Sequence, residues 1–285
     1  MNFKNYRNIT IISLLVCIII SPLGSYGGHH VKFSVALIIY CLLTYLYLIK
    51  TRNKKEELLV VFSLSLPILI LLGGTHIILF KSTIWSLPSS IAHILGILAG
   101  FIIYQVKLIY KITLGLILII FSIWVTLYGF TEYWLQRVYF GTLSGNVIEK
   151  VPLHSFKDQR GELVTLSNLG NKLIILDFWH TRCGACFRKF PELQENYLKY
   201  KQDPDVNFYA VNIPNERDTL NQATRMLEEI GYTFPVIIAE SNNLADSFNI
   251  HVYPTIIIIN EGKEIIYRGS IGKVSRVINK MKNGH

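Results

Sequence analysis

At 285 residues, with 51% hydrophobic and 16% charged side chains, the chain is too apolar for one soluble domain and long enough for two units. Its net charge of +9 is unevenly placed: residues 1–146 carry eleven Lys and Arg against three acids, and residues 147–285 carry seventeen against sixteen. A positive excess confined to short loops between apolar runs is a topology signal and excludes a nucleic-acid footprint.

Five apolar runs fill the first half: Ile9–Leu23, Phe33–Ile49, Leu58–Phe80, Leu87–Val106 and Ile112–Phe130. No Lys, Arg, Asp or Glu interrupts them, and each approaches the roughly 20 residues that a helix needs to cross a bilayer. Residues 1–130 are therefore expected to form a helical membrane domain, with the lipid bilayer as its first partner. With the N-terminus in the cytoplasm, Lys4, Arg7, Lys50, Arg52, Lys54, Lys55, Lys107 and Lys111 fall inside, and only Lys32 and Lys81 fall in outer loops. That bias orients the chain, and an odd number of crossings puts everything after Phe130 outside. Tyr128, Tyr133, Trp134, Tyr139 and Phe140 suit the outer interface. Lys4, Arg7, the run Ile9–Ile20 and the segment Ser21–Ser25 also fit a signal peptide, in which case four spans remain and the topology is unchanged.

His29, His30, His76 and His93 fall at similar depth near the outer face. They are readable as a metal, haem or quinone site, with His76 and His93 the metal candidates, or as interfacial histidines bonded to backbone or water. No spacing motif joins them, and no metal is expected. Cys17 and Cys41 lie mid-span in neighbouring helices, where free cysteine is more often a small apolar residue than a redox pair.

Residues 131–146 are expected to be a juxtamembrane linker, and residues 147–285 a second domain. Its pattern runs as a hairpin from about Ile148, strand Leu173–Phe178, a helix from Cys183, strand Val206–Val211 and helix Arg217–Ile230. Strand Phe234–Ala239, a short helix Leu244–Asn249, strands Ile256–Ile259 and Ile265–Arg268 and helix Val274–Lys282 follow. Such alternation predicts an α/β sandwich with a central sheet.

The chemistry concentrates at Leu173-Ile-Ile-Leu-Asp177-Phe178-Trp179-His180-Thr181-Arg182-Cys183-Gly184-Ala185-Cys186. A strand-to-helix junction puts Cys183 at a helix N-terminus, where the dipole, free N–H groups and adjacent Arg182 favour a thiolate. Cys186, one turn on, is placed to close a short disulfide. A zinc site needs about four ligands, and no second pair follows. Asp177 sits in an apolar strand, where an unpaired carboxylate holds its proton more tightly.

Asp177-Phe178-Trp179 with Cys183-Gly184-Ala185-Cys186, Pro191 five residues later, and Val252-Tyr253-Pro254-Thr255 resemble the thioredoxin superfamily. Phe156–Ser167 and Thr233-Phe234-Pro235-Val236 resemble its membrane-associated TlpA/ResA-like branch. Arg182 in place of an aromatic, Ala185 in place of proline and Lys189 in place of an acid depart from the common pattern. The resemblance implies a thioredoxin-like domain with Cys183, Cys186 and Asp177 as catalytic residues, and a redox-active Cys183–Cys186 disulfide in place of a cofactor. It implies a cis bond at Tyr253–Pro254, with Tyr253, Pro254, Trp179 and Arg182 meeting the substrate. It also implies a reductase facing an oxidising compartment outside the cytoplasmic membrane, with protein dithiols or disulfides as substrates and a membrane electron donor or acceptor. A disulfide-forming oxidase and a non-enzymatic docking module are the alternatives. A peroxidase would carry Thr three residues before its cysteine, where this chain has His180.

Overall fold

The computed structural model describes residues 3–283 apart from Asn171, Leu220 and Asn242. The chain divides into two units at Leu135 and Gln136.

The first unit is helical. Its five long apolar helices, Lys4–Tyr26, His29–Leu48, Lys54–Ile78, Phe80–Gln105 and Leu108–Phe140, have the length and composition to cross a membrane. The last runs into the second unit, so residues 131–140, expected as linker, are helical. The second and fourth spans pack backbone to backbone. A Cβ added at Gly96 would stand 2.5 Å from the Leu37 carbonyl oxygen, and one at Gly100 would stand 2.4 Å from that of Cys41. Small residues permit this approach where lipid supplies no hydrophobic drive between helices. Gly100→Leu is accordingly expected to destabilise the helical unit by about 1–3 kcal/mol, read as earlier thermal unfolding of the full chain in detergent.

Lys32, placed in an outer loop by charge counting, is instead the fourth residue of the second span and only 5% exposed. Helical phase turns it inward, which a loop-by-loop count of charges does not register.

The second unit is built on an eight-stranded sheet in the order β1-β8-β7-β4-β5-β6-β2-β3. The strands are β1 (Asn146–Lys150), β2 (Ser155–Lys157), β3 (Leu163–Thr165), β4 (Leu173–Trp179), β5 (Val206–Asn212), β6 (Val236–Ala239), β7 (Thr255–Ile259) and β8 (Glu264–Gly269). β4, β5 and β6 are parallel, and β7 and β8 continue the sheet antiparallel. Every residue of β4 is buried, as expected for a strand covered on both faces. The expected hairpin is β2–β3, while β1 is a separate strand that pairs antiparallel with β8. β1 is held by Arg268, whose two guanidinium nitrogens reach the Glu149 carboxylate at 2.9 and 2.6 Å. That bond holds the Glu149 carboxyl below its usual range.

The helix expected from Arg217 begins at Gln222. Upstream, side chains compete for the backbone: Asp218 accepts from the Asn215 N–H and Gln222 from the Thr219 N–H, both at 2.9 Å. Asn221 is left-handed at φ 59°.

Candidate active site at the Cys183 helix

β4 alternates faces along its length. Ile174, Leu176 and Phe178 enter one core cluster with Phe248, Ile257 and Ile259. Leu173, Ile175 and Trp179 enter the other, which also holds Cys183, Cys186 and Phe190. Asp177 falls between Ile175 and Trp179 in this alternation, so its carboxyl lies on the dithiol side of the sheet. It pairs in register with Ala210 of β5 and Ile256 of β7, both apolar.

The chain leaves β4 at Trp179 and enters the helix Gly184–Tyr200. Cys183 is its N-cap, and its sulfur accepts the Cys186 N–H at 3.1 Å. Cys183 and Cys186 form a disulfide with an S–S distance of 2.01 Å and Cα atoms 5.2 Å apart. Cys183 is 6% exposed and Cys186 is 0% exposed, so an incoming sulfur reaches Cys183 first. An N–H aimed at its sulfur, together with the helix dipole, stabilises negative charge there once the disulfide opens.

Asp177 is 2% exposed, and its Oδ1 has no hydrogen-bond partner. Burial pushes its carboxyl well above the usual carboxylate range. A second polar side chain, missed in sequence, shares this face. Asn212 stands opposite Trp179 on β5, is 2% exposed, and its Nδ2 is likewise unpartnered. Its place is apparent only once the register of β4 against β5 is known.

Tyr253 and Pro254 are joined by a cis peptide immediately before β7. The Tyr253 ring meets His180 edge-on at 5.1 Å, which brings the proline loop to the residue three before Cys183. Both rings are half-buried; burial lowers the His180 imidazole and raises the Tyr253 phenol relative to their ordinary values. Arg182 is exposed beside Cys183.

Trp179, expected to touch substrate, is wholly buried instead. It packs edge-on against Phe187 at 6.0 Å and Phe190 at 5.1 Å. Its parity in β4 turns it inward, so it supports the helix that carries the cysteines.

The loop between Trp179 and Cys183 is tied to a distant turn. Thr181 Oγ1 donates to Asp218 Oδ1 at 2.7 Å, and Asp218 Oδ2 takes the Asn215 N–H. Nothing local in the sequence announces this pair, 37 residues apart. Asp218→Ala leaves two donors without their acceptor and is expected to destabilise the second unit by about 1–2 kcal/mol, measured by denaturant unfolding.

Both His76 nitrogens are taken, by Thr83 and Ser90 hydroxyls at 2.9 Å. Among the described residues no group of three His, Cys, Asp or Glu could hold a metal ion.

A dithiol at a helix head, a buried acid on the same face and a cis-proline loop beside it define a thioredoxin-like domain. Residues 147–268 match the AhpC/TSA family. Over 110 residues the chain is 36% identical to the thiol-disulfide oxidoreductase ResA of Halalkalibacterium halodurans, covering 39% of this chain and 60% of that protein. It is 28% identical over 138 residues to ResA of Bacillus subtilis, covering 48% of this chain and 74% of that protein. A solution structure of a thiol:disulfide interchange protein from Bacteroides sp. is 22% identical with a TM-score of 0.42, covering 49% of this chain and 94% of that one.

Proposed function

We propose that the chain is a membrane-anchored thiol-disulfide oxidoreductase that reduces disulfides of proteins outside the cytoplasmic membrane. The observation that carries this reading is the Cys183–Cys186 disulfide at the helix N-terminus, with the Cys183 sulfur receiving the Cys186 N–H. In the reduced protein the Cys183 thiolate attacks a substrate disulfide, forming a mixed disulfide and releasing one substrate thiolate. Cys186 passes its proton to Asp177 and attacks the Cys183 sulfur. The internal disulfide closes, the second substrate thiolate leaves, and two electrons have moved from this protein to the substrate. A dithiol donor must then reduce the pair again. Tyr253, Pro254 and Arg182 form the surface on which a substrate peptide would lie.

The reductive direction rests on the likeness to ResA proteins, and the external placement on the bias of Lys and Arg to one side of the spans. The reduction potential of the full chain tests the first. A value near the about −270 mV of thioredoxin supports a reductase, and one near the about −120 mV of strong oxidants replaces it with an oxidase. A membrane-impermeant maleimide applied to intact, reductant-treated cells tests the second. Cys183 should be labelled without permeabilisation; labelling only after lysis overturns the orientation.

A further inference from the structure

In the second unit, the outer edge of β6 carries a gap in its ladder. The Ala210 N–H donates to the Pro235 carbonyl at 2.8 Å, so Pro235 and Ile237 turn their backbone groups toward β5. Val236 and Ile238 alternate with them and turn theirs the other way. Ile238 is matched there by Lys157 of β2, and the same antiparallel register would set Gln159 opposite Val236. β2 ends at Lys157, however, because the chain turns away. The Asp158 carbonyl accepts the Gly161 N–H at 3.0 Å, and its carboxylate accepts the Arg160 and Glu162 N–H groups at 2.8 and 2.9 Å. Val236 is only 4% exposed and is left with no strand beside it.

The gap is a cavity of about 630 Å³, within the roughly 300–1,000 Å³ of ligand sites. It is lined from both faces of the sheet: by Tyr209 and Leu169 on one, and by Leu227 and Phe234 on the face that carries the cysteines. Its walls are fixed in advance. Tyr209 Oη donates to the Leu169 carbonyl at 2.9 Å. Gln194 accepts the Thr233 N–H at 3.0 Å and donates to the Thr233 hydroxyl at 2.7 Å. The Thr224 side chain also lines the cavity; it is 8% exposed, and its hydroxyl has no partner. A buried hydroxyl and a buried peptide group left without partners are both costly.

An extended peptide answers these needs together. Its N–H and carbonyl groups continue the ladder on Val236, and its alternate side chains fall on the two lined faces. A hydrocarbon chain would leave the Val236 backbone and the Thr224 hydroxyl unpaired. A phosphate or other dianion would meet two carboxylates, Asp158 and Glu228, with only Arg160 to offset them. The same surplus of negative charge favours a basic segment. We propose that this notch in the sheet edge takes an extended, basic segment of a partner protein by strand addition to β6. The site uses neither Cys183 nor Cys186 and stands or falls independently of the dithiol reading.

The test titrates the purified full chain in detergent with a short, blocked, dye-labelled peptide of alternating valine and lysine. Fluorescence anisotropy reads binding, and hydrogen exchange reads the Val236 amide. Saturable binding is expected, with Val236 exchange slowed about tenfold or more at saturation. The same peptide N-methylated throughout, and one with glutamate in place of lysine, should each bind at least about tenfold more weakly. Thr224→Val should weaken binding about fivefold without lowering the unfolding temperature, since the hydroxyl it removes has no partner in the free protein. Glu228→Gln should weaken it about threefold at low salt, and the difference should fade at high salt. No saturable binding, an unchanged Val236 amide, or equal binding of the N-methylated peptide overturns strand addition. Equal binding of the glutamate peptide overturns the basic partner. Val236 protection that grows with protein concentration in the absence of peptide overturns it too, by giving the notch to a second copy of this chain.

Discussion

Cys183→Ser is expected to abolish disulfide exchange, lowering turnover by at least about three orders of magnitude. The lost group is the nucleophile itself, and no other described cysteine of the second unit replaces it. Cys186→Ser should behave differently. The Cys183 sulfur still attacks, but with no resolving thiol the reaction stops at a mixed disulfide. Non-reducing gel electrophoresis should show about one equivalent of substrate covalently held per chain, released by added dithiol. The asymmetry follows from burial, since the 6% exposure of Cys183 against 0% for Cys186 decides which sulfur a partner can reach. Covalent complexes formed equally by both single variants would sink the assignment. Full activity in the double variant would favour a docking module over an enzyme.

Asp177→Asn is expected to have the second large effect, on rate and stability in opposite directions. Burial holds the Asp177 carboxyl well above its ordinary range, which suits it to exchange a proton with Cys186 during resolution. Removing it should slow resolution by about a hundredfold at neutral pH and flatten the pH–rate profile over the range where Asp177 titrates. The folded protein binds this proton more tightly than the unfolded chain does. Wild-type stability therefore falls as pH rises from the unfolded value of about 3.9 up to the raised folded value. Asparagine has no such proton. The variant should match wild type below about pH 3.9 and exceed it at neutral pH. Thermal unfolding across pH measures this; parallel curves for the two proteins would show that Asp177 does not titrate in this range.

The parts of the site legible from the residues were those that local pattern encodes. The apolar strand leading into Cys183-Gly184-Ala185-Cys186 located the helix head, and Asp177 could be placed in β4 by its apolar flanks. Trp179 shows the limit. It neighbours the cysteines in sequence, yet strand parity sends it into the core, where Phe187 and Phe190 enclose it. The start of the Gln222 helix was misplaced because Asp218 and Gln222 cap turns that compete with helix, and side-chain bonds of that kind leave no periodic trace.

Residue pattern alone established five apolar spans, an α/β domain after them and a dithiol at a helix N-terminus, because hydrophobic periodicity and short spacings are properties of neighbours along the chain. Packing settled which residues share a space. It put Asn212 beside Trp179, Asp218 on Thr181 and β1 against β8. Each of these pairings joins segments far apart in the chain. Register, helical phase and burial make them, and no stretch of the sequence carries all three.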